Sequence, residues 1–179
     1  MIRSHLHLAS FLLAFVAACG ANPPPAPPPA PTAEATAAPA AAPTAAATSN
    51  VAAAEQCIST ANVKRAKFSG EPAKIGVKHV LVKFKGAKNA ADTVTRSRNE
   101  ACLRAIEARD KVRAGEDFEA VVKAFSEEPG AATRGGSIGS VERKDLAKPF
   151  ADAAFELSVN QLSDVVETDF GFHVILRNQ

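Results

Sequence analysis

The sequence VKHVLVKFK, at residues 77–85, alternates between two faces as the side chains of a β-strand do. Val77, His79 and Leu81 fall on one face, while Val80 and Val82 fall on the other. Because both faces carry apolar side chains, the pattern predicts a strand in the middle of a sheet.

After this strand the spacing of apolar residues becomes helical. One helical stripe begins near residue 94, and a second covers residues 117–125. A Gly-rich loop follows at 126–140, with a short strand expected near 138–141. A short helix is expected to begin near Pro149, since proline suits the first turn of a helix.

The chain closes with two strand-like runs, at residues 165–168 and 172–177, around Asp169-Phe170-Gly171. This arrangement predicts a β-hairpin with glycine in the turn. The resulting order is strand, helix, helix, strand, helix, strand, strand. We therefore expect an α+β fold in which helices partly cover a small, mainly antiparallel sheet.

Composition divides the chain of 179 residues into two parts. Residues 21–54 hold sixteen Ala and nine of the twelve Pro, with Glu34 as their only charge. Such a segment has little large apolar surface to bury, so burial does not offset the entropy cost of ordering it. We expect an extended Ala/Pro-rich linker over residues 19–55, a connecting arm over 56–76 and one folded domain over 77–179.

This size and charge exclude several classes of protein. A folded part of this length is too short for a TIM barrel, a two-domain dehydrogenase or a helical transporter. The net charge of +2 excludes a strongly basic nucleic-acid binder of the usual kind.

Residues 1–18 have the form of a secretory signal peptide. Arg3 precedes an apolar run from Leu8 to Ala18 that is too short to span a bilayer as a helix. The motif VAAC, which ends at Cys19, resembles a bacterial lipobox, and the resemblance implies cleavage before Cys19 and lipidation of its sulfur. Gly20 stands where Asp would favour retention in the inner membrane, so sorting to the outer membrane is expected. The alternative is an ordinary signal peptide whose cysteine is incidental.

The other two cysteines, Cys57 and Cys102, form an even pair in an oxidising compartment. Cys102 lies on the apolar face of a predicted helix. The sequence leaves two alternatives open, a Cys57–Cys102 disulfide or buried free thiols. A metal site built from two such distant cysteines is less favoured than either.

Motifs for phosphate binding and metal catalysis are missing from the sequence. Gly135, Gly136 and Gly139 lack both the Gly-x-Gly-x-x-Gly spacing and a following Gly-Lys-Ser/Thr, so a tight turn is the better interpretation. Neither His-Glu-x-x-His nor Cys-x-x-Cys occurs, and metal catalysis therefore has no support in the sequence.

Two histidines and a basic region remain as candidates for function. His79 and His173 each lie in a predicted strand, where a hydrogen-bonded core role competes with a role in a site. Residues 64–98 contain ten Lys and Arg against Glu71 and Asp92, a local charge of +8. That region is either a solvated surface or a patch that attracts acidic or phosphorylated peptide or anionic lipid.

Four blocks in this order resemble the parvulin-type peptidyl-prolyl cis/trans isomerases, the PpiC or rotamase family. The blocks are KHVLVKF at 78–84, FSEEPGAATRGGSIG at 125–139, KPFADAAFEL at 148–157 and TDFGFHVILR at 168–177. The segment VTRSRNEA at 94–101 is also similar to the opening of the first helix in the phosphorylation-directed eukaryotic parvulins. The resemblance implies the parvulin fold, a four-stranded antiparallel sheet surrounded by helices.

The resemblance also implies roles for individual residues. The catalytic network of the family falls here on the side chains of His79, Glu128, Thr168 and His173. The apolar pocket for the proline ring falls on Ile138, Leu146 and Phe150, with Phe170 at a rim position that is often polar in the family. The loop after Lys83 is shorter than in the phosphorylation-directed members and lacks their pair of arginines. Three lysines are candidates to bind an acidic group there instead: Lys83, Lys85 and Lys88.

The function that the resemblance implies is rotation of X-Pro peptide bonds without a covalent intermediate or a cofactor. We expect a monomer that assists folding of exported proteins, held by a lipid anchor in the bacterial cell envelope and facing the periplasm. Its partners would be proline-containing segments of unfolded proteins, with an acidic residue before proline as an open preference. The alternatives are a non-catalytic peptide-binding chaperone on the same fold and a purely structural envelope lipoprotein.

Overall fold

The computed structural model describes residues 44–67 and 69–179. The expected signal peptide at 1–18, the lipidation site Cys19 and the first part of the linker lie outside the described residues. The described elements are α1 (Thr44–Ala61), β1 (Lys74–Val82), α2 (Arg98–Arg113), α3 (Phe118–Phe125), α4 (Ala131–Arg134), β2 (Ser137–Glu142), a 3-10 turn (Arg143–Asp145), α5 (Lys148–Glu156), β3 (Val166–Thr168) and β4 (Gly171–Arg177). None of the helices in this part of the chain is long and apolar enough to cross a membrane.

The four strands form one antiparallel sheet in the order β2-β1-β4-β3. The α+β class, the four-stranded sheet and the central position of β1 are therefore confirmed. β1 ends at Val82 rather than at the expected residue 85, because the amide of Lys83 leaves the ladder and donates to Glu127 Oε2 at 2.7 Å. β1 also starts at Lys74, inside the segment expected to be a connecting arm.

The two faces of the sheet are covered by different helices. Val80 and Val82, with Phe172 and Val174 of β4, lie in a core shared with residues of α2 and α3. On the opposite face, Val77 lies in a second core that includes residues of α5. The alternation read from the sequence thus assigns the apolar side chains of residues 77–82 to their correct faces.

Helix α1 corrects the expected domain boundaries. It begins at Thr44 and runs through residue 55, where the linker was expected to end, so residues 44–55 are helical and not extended. After Pro43 this stretch is rich in alanine and free of proline, a composition that favours helix. Ala54, Cys57 and Ala61 are buried along one side of α1.

A disulfide joins Cys57 of α1 to Cys102 of α2. Of the two alternatives that the sequence left open, the structure therefore has the cross-link and not free thiols. The bond attaches the helix before the sheet to the helices that cover it.

Two boundaries in the helical regions differ from expectation for local reasons. α2 begins at Arg98 rather than near residue 94, because the Ser97 side chain accepts from the Glu100 amide and Glu100 accepts from the Ser97 amide. The expected loop at 126–140 contains the short helix α4, whose four residues are too few to show a helical period.

Candidate active site

The registers of β1 and β4 bring the two strand histidines together. His79 pairs with Ile175, and Leu81 pairs with His173, so the two imidazoles are diagonal neighbours on one face of the sheet. Their Nδ1 atoms lie 3.1 Å apart and the rings are stacked, with centroids 5.4 Å apart. Both side chains are buried.

A chain of hydrogen bonds extends from this pair in both directions. His79 Nε2 lies 3.0 Å from Glu128 Oε2, and His173 Nε2 lies 2.7 Å from Thr168 Oγ1. Thr168 Oγ1 also accepts from the Phe170 amide at 3.1 Å. All four residues assigned to the catalytic network by resemblance therefore form one continuous chain.

The ionised state of Glu128 determines which atom donates at the first link of this chain. The hydrogen bond from His79 lowers the pKa of the Glu128 carboxyl despite its partial burial, and Arg134 acts in the same direction. An ionised Glu128 only accepts, so His79 Nε2 donates to it. A neutral His79 then accepts at Nδ1 from His173, whose Nε2 in turn accepts from the Thr168 hydroxyl.

Burial keeps His173 neutral. Its side chain is buried, and this desolvation, with the nearby His79, holds the pKa of His173 well below its ordinary value. A neutral imidazole donates through one nitrogen and accepts through the other, which is what the chain requires.

An apolar cavity of about 360 Å³ opens above the histidines. Phe150 of α5 forms its floor, with its ring edge-on to both imidazoles at centroid distances of 5.4 Å from His79 and 5.2 Å from His173. The other side chains expected at the pocket also line it: Ile138, Leu146 and Phe170. The four positions taken from the resemblance thus converge on one cavity, together with the polar chain.

The three candidate lysines are placed differently. Lys83 lines the cavity and is buried, and its Nζ donates to the Asn89 carbonyl at 2.6 Å. Lys88 lies outside the lining, with Nζ 5.0 Å from the centroid of the Phe170 ring. Lys85 is exposed and outside the lining, so the structure does not group it with the other two at the pocket.

Several contributors to the site were missed by sequence reasoning. Glu127 holds the Lys83 amide, and Arg96 donates both to Glu127 at 2.6 Å and to the Lys83 carbonyl at 3.0 Å. Asn89, at a positive φ of 58°, supplies the carbonyl that binds Lys83 Nζ. These contacts join residues distant in the sequence, and no short motif marks them.

Residues 79–179 match the family described as the PPIC-type PPIASE domain, or rotamase. The chain belongs to this family. The match begins at His79 and therefore includes every residue of the polar chain and the cavity lining, while α1 and the start of β1 precede it. The four-stranded sheet agrees with the rotamase fold, since the solution structure of TbPIN1 aligns with a TM-score of 0.54 and 28% identity over 60% of this chain and 98% of that one.

Two curated rotamase-domain relatives illustrate the range of the family. One is the Drosophila melanogaster protein named as the peptidyl-prolyl cis-trans isomerase dodo, 37% identical over 111 residues, which cover 59% of this chain and 66% of the relative. The other is foldase protein PrsA 4 of Bacillus cereus, 37% identical over 117 residues, which cover 65% of this chain and 35% of the relative. The chain thus spans less than two thirds of the length of either.

Proposed function

We propose that this protein is a peptidyl-prolyl cis/trans isomerase. The observation that carries the proposal is the combination of an apolar cavity, floored by Phe150 and walled by Ile138 and Leu146, with a fully paired polar chain that lines the same cavity. A cavity of about 360 Å³ with this lining suits a proline ring and its flanking peptide bond.

The reaction needs rotation and no bond cleavage. An X-Pro bond isomerises over tens to hundreds of seconds, behind a barrier of about 18–20 kcal/mol that arises from amide resonance. In the twisted transition state this resonance is lost, so the carbonyl is less polar than in the planar amide. An apolar cavity therefore favours the transition state over the hydrated planar substrate.

Preferential binding of the twisted transition state can supply the rate acceleration that the reaction requires. Turnover in milliseconds needs an acceleration of about 10⁴–10⁵, or roughly 5.5–7 kcal/mol of preferential stabilisation. Phe150 would hold the ring while the flanking chain turns, and the buried His173 would stay neutral beneath it. Glu128 would supply a fixed negative charge near the rotating bond.

The test is isomerisation of an Ala-Pro peptide by the full chain, compared with two matched variants of α5. Phe150→Leu changes the cavity floor, whereas Phe155→Leu changes a side chain of the same helix that is buried in the core outside the cavity lining. We expect kcat/KM to fall about tenfold or more in Phe150→Leu, equivalent to about 1.4 kcal/mol, and to stay close to wild type in Phe155→Leu. Exchange no faster with wild type than without protein would leave the alternative of a non-catalytic peptide-binding chaperone, and equal catalysed rates in wild type and Phe150→Leu would refute the role of Phe150.

We further propose that the pocket prefers an acidic residue before proline. Lys83 Nζ is buried at the cavity wall, where it donates to the Asn89 carbonyl, so a substrate carboxylate or phosphate would gain a cation that is already desolvated. We expect Lys83→Met to abolish a preference for Glu-Pro or phosphoSer-Pro over Ala-Pro peptides. Lys85→Met, which changes a lysine outside the lining, is the control, and indifference of the wild type to the preceding residue would refute the preference.

Finally, we propose that the protein acts on exported proteins while anchored in the bacterial envelope through Cys19. The VAAC motif, the Ala/Pro-rich linker, the disulfide and the similarity to a bacterial foldase support this location. We expect radiolabelled palmitate to be incorporated by the wild type and not by Cys19→Ser, and the labelled protein to fractionate with the outer membrane. Equal labelling of both proteins would contradict the anchor.

A further inference from the structure

Arg134 lies at the exposed end of α4, outside the cavity lining, yet it reaches a central member of the polar chain. Its Nη2 donates to Glu128 Oε2 at 3.0 Å. The same oxygen accepts from His79 Nε2 at 3.0 Å. An arginine at the surface and a buried imidazole therefore share one carboxylate oxygen.

The guanidinium is also fixed by the loop around it. Nη1 donates to the Pro129 carbonyl at 3.3 Å, and Nε donates to the Ser137 carbonyl at 3.2 Å. A Cβ at Gly130 would lie 2.6 Å from Arg134 Nη1, so a glycine is needed for the guanidinium to occupy this place. Arg134 thus joins the segment that carries Glu128 to the first residue of β2.

The far end of the same loop contacts the strand that carries His79. The Gly136 carbonyl accepts from the His79 amide at 2.9 Å, and a Cβ at Gly136 would lie 2.5 Å from the His79 carbonyl oxygen. Residues 128–137 therefore hold the Glu128 carboxylate and the His79 backbone in one rigid unit. Arg134 closes this unit from the solvent side.

We propose that Arg134 is a positioning residue that sets the direction of the hydrogen-bond chain between Glu128 and Thr168. The two donors on Glu128 Oε2 keep this oxygen an acceptor, so His79 Nε2 carries a proton, and in the neutral ring His79 Nδ1 is then the acceptor. His173 must then donate from Nδ1 and accept at Nε2 from the Thr168 hydroxyl. The proposal concerns the site of the proposed isomerase but does not depend on isomerase activity.

Removal of the Arg134 guanidinium favours the reverse order of donors and acceptors along the chain between Glu128 and Thr168. The Glu128–His79 pair then takes up a proton more readily, because one positive charge no longer stabilises the carboxylate. Once His79 carries a proton on both nitrogens, its Nδ1 donates to His173 Nδ1, and His173 Nε2 donates to Thr168 Oγ1. The proton on His173 thus moves from Nδ1 to Nε2.

The charged groups around the Glu128–His79 pair come from several elements. Arg134 faces it from α4 and His173 from β4, while Lys83 and Asp145 line the same cavity. Only Arg134 is altered in the test below, so the other three groups contribute equally to wild type and variants.

The experiment is an acid titration of the full chain, labelled with ¹⁵N at histidine and followed by NMR. Wild type at pH 7 is expected to show His79 protonated at Nε2 and His173 protonated at Nδ1. In Arg134→Gln we expect the pH at which the His173 proton changes nitrogen to rise by about half a unit. Arg134→Lys retains a cation within reach of Glu128 and is expected to stay near the wild-type midpoint.

Arg113→Gln is the matched control, since Arg113 also pairs with a carboxylate and its side chain is 47% exposed against 46% for Arg134. Identical titrations in wild type and Arg134→Gln would overturn the proposal. So would an equal shift in Arg134→Lys and Arg134→Gln, which would indicate a loop effect and not a charge effect. A chain without isomerase activity but with the expected titrations would refute the proposed function and leave this inference standing.

Discussion

Strands β1 and β4 contribute side chains to both faces of the sheet, and the two faces differ in what those side chains do. Facing α2 and α3, Val80, Val82, Phe172 and Val174 form a core in which each is at most 1% exposed. Facing α5, the alternate positions of the same two strands include His79 and His173 below an open cavity. The first face stabilises the fold, and the second holds the candidate site.

The difference shows how a buried polar group is tolerated beside an apolar core. Both nitrogens of each histidine have a partner, and the Thr168 hydroxyl and Glu128 carboxylate at the ends of the chain are also bonded. A complete chain avoids the free-energy cost of an unpaired buried donor. The cavity above it then leaves room for a ligand without opening the other face.

The largest expected effect is on the face covered by α2 and α3. Phe172→Ala removes a fully buried ring from that core, and we expect the free energy of unfolding to fall by about 3–5 kcal/mol. Urea denaturation followed by circular dichroism measures this value. A loss below 1 kcal/mol would contradict the assignment of this face as the main source of stability.

The second-largest expected effect on the free energy of unfolding comes from the disulfide, which lies on the same side of the sheet. Its 45-residue separation predicts that Cys57→Ser with Cys102→Ser lowers the free energy of unfolding by about 2–4 kcal/mol, since the cross-link restricts the unfolded chain. The folded double variant should keep its kcat/KM, because neither cysteine lines the cavity. A strong loss of kcat/KM in fully folded protein would show that the two faces are coupled.

The face with α5 is expected to make stability depend on pH. Folded His173 has a lowered pKa, so below about pH 6.5 the unfolded state binds more protons, and stability falls as the pH decreases. The lowered pKa of Glu128 adds a loss in the same direction below its ordinary value of 4.5. We expect a slope of up to about 1.4 kcal/mol per pH unit between pH 6.5 and 5 that is reduced in His173→Gln. Equal slopes in both proteins would exclude His173 as the source.

The sequence predicted most of this architecture because periodicity reports which face of an element is buried. The central strand, the hairpin around Gly171 and the helix at Pro149 were all placed from spacing and turn chemistry. The spacing of apolar residues does not predict the part of α1 before residue 56, because its small alanines bury little surface and resemble the linker before them.

The site was predictable where its residues belong to contiguous motifs. His79, Thr168 and His173 lie in two short blocks, and the structure brings them together. Arg96, Glu127 and Arg134 act through contacts that depend on how loops fold back on β1, which spacing along the chain does not report. The Cys57–Cys102 bond was open for the same reason, since pairing depends on distance in space.

The most direct test of the claim that one face of the sheet stabilises the fold and the other holds the site is NMR exchange spectroscopy. Applied to an Ala-Pro peptide with the full chain, it measures catalysed cis/trans exchange per folded molecule. Phe150→Leu alters the cavity floor, and Phe172→Leu alters the opposite face. The account predicts that exchange falls about tenfold or more in Phe150→Leu and is unchanged in folded Phe172→Leu. Unchanged exchange in Phe150→Leu, or equal losses in both variants, would contradict it.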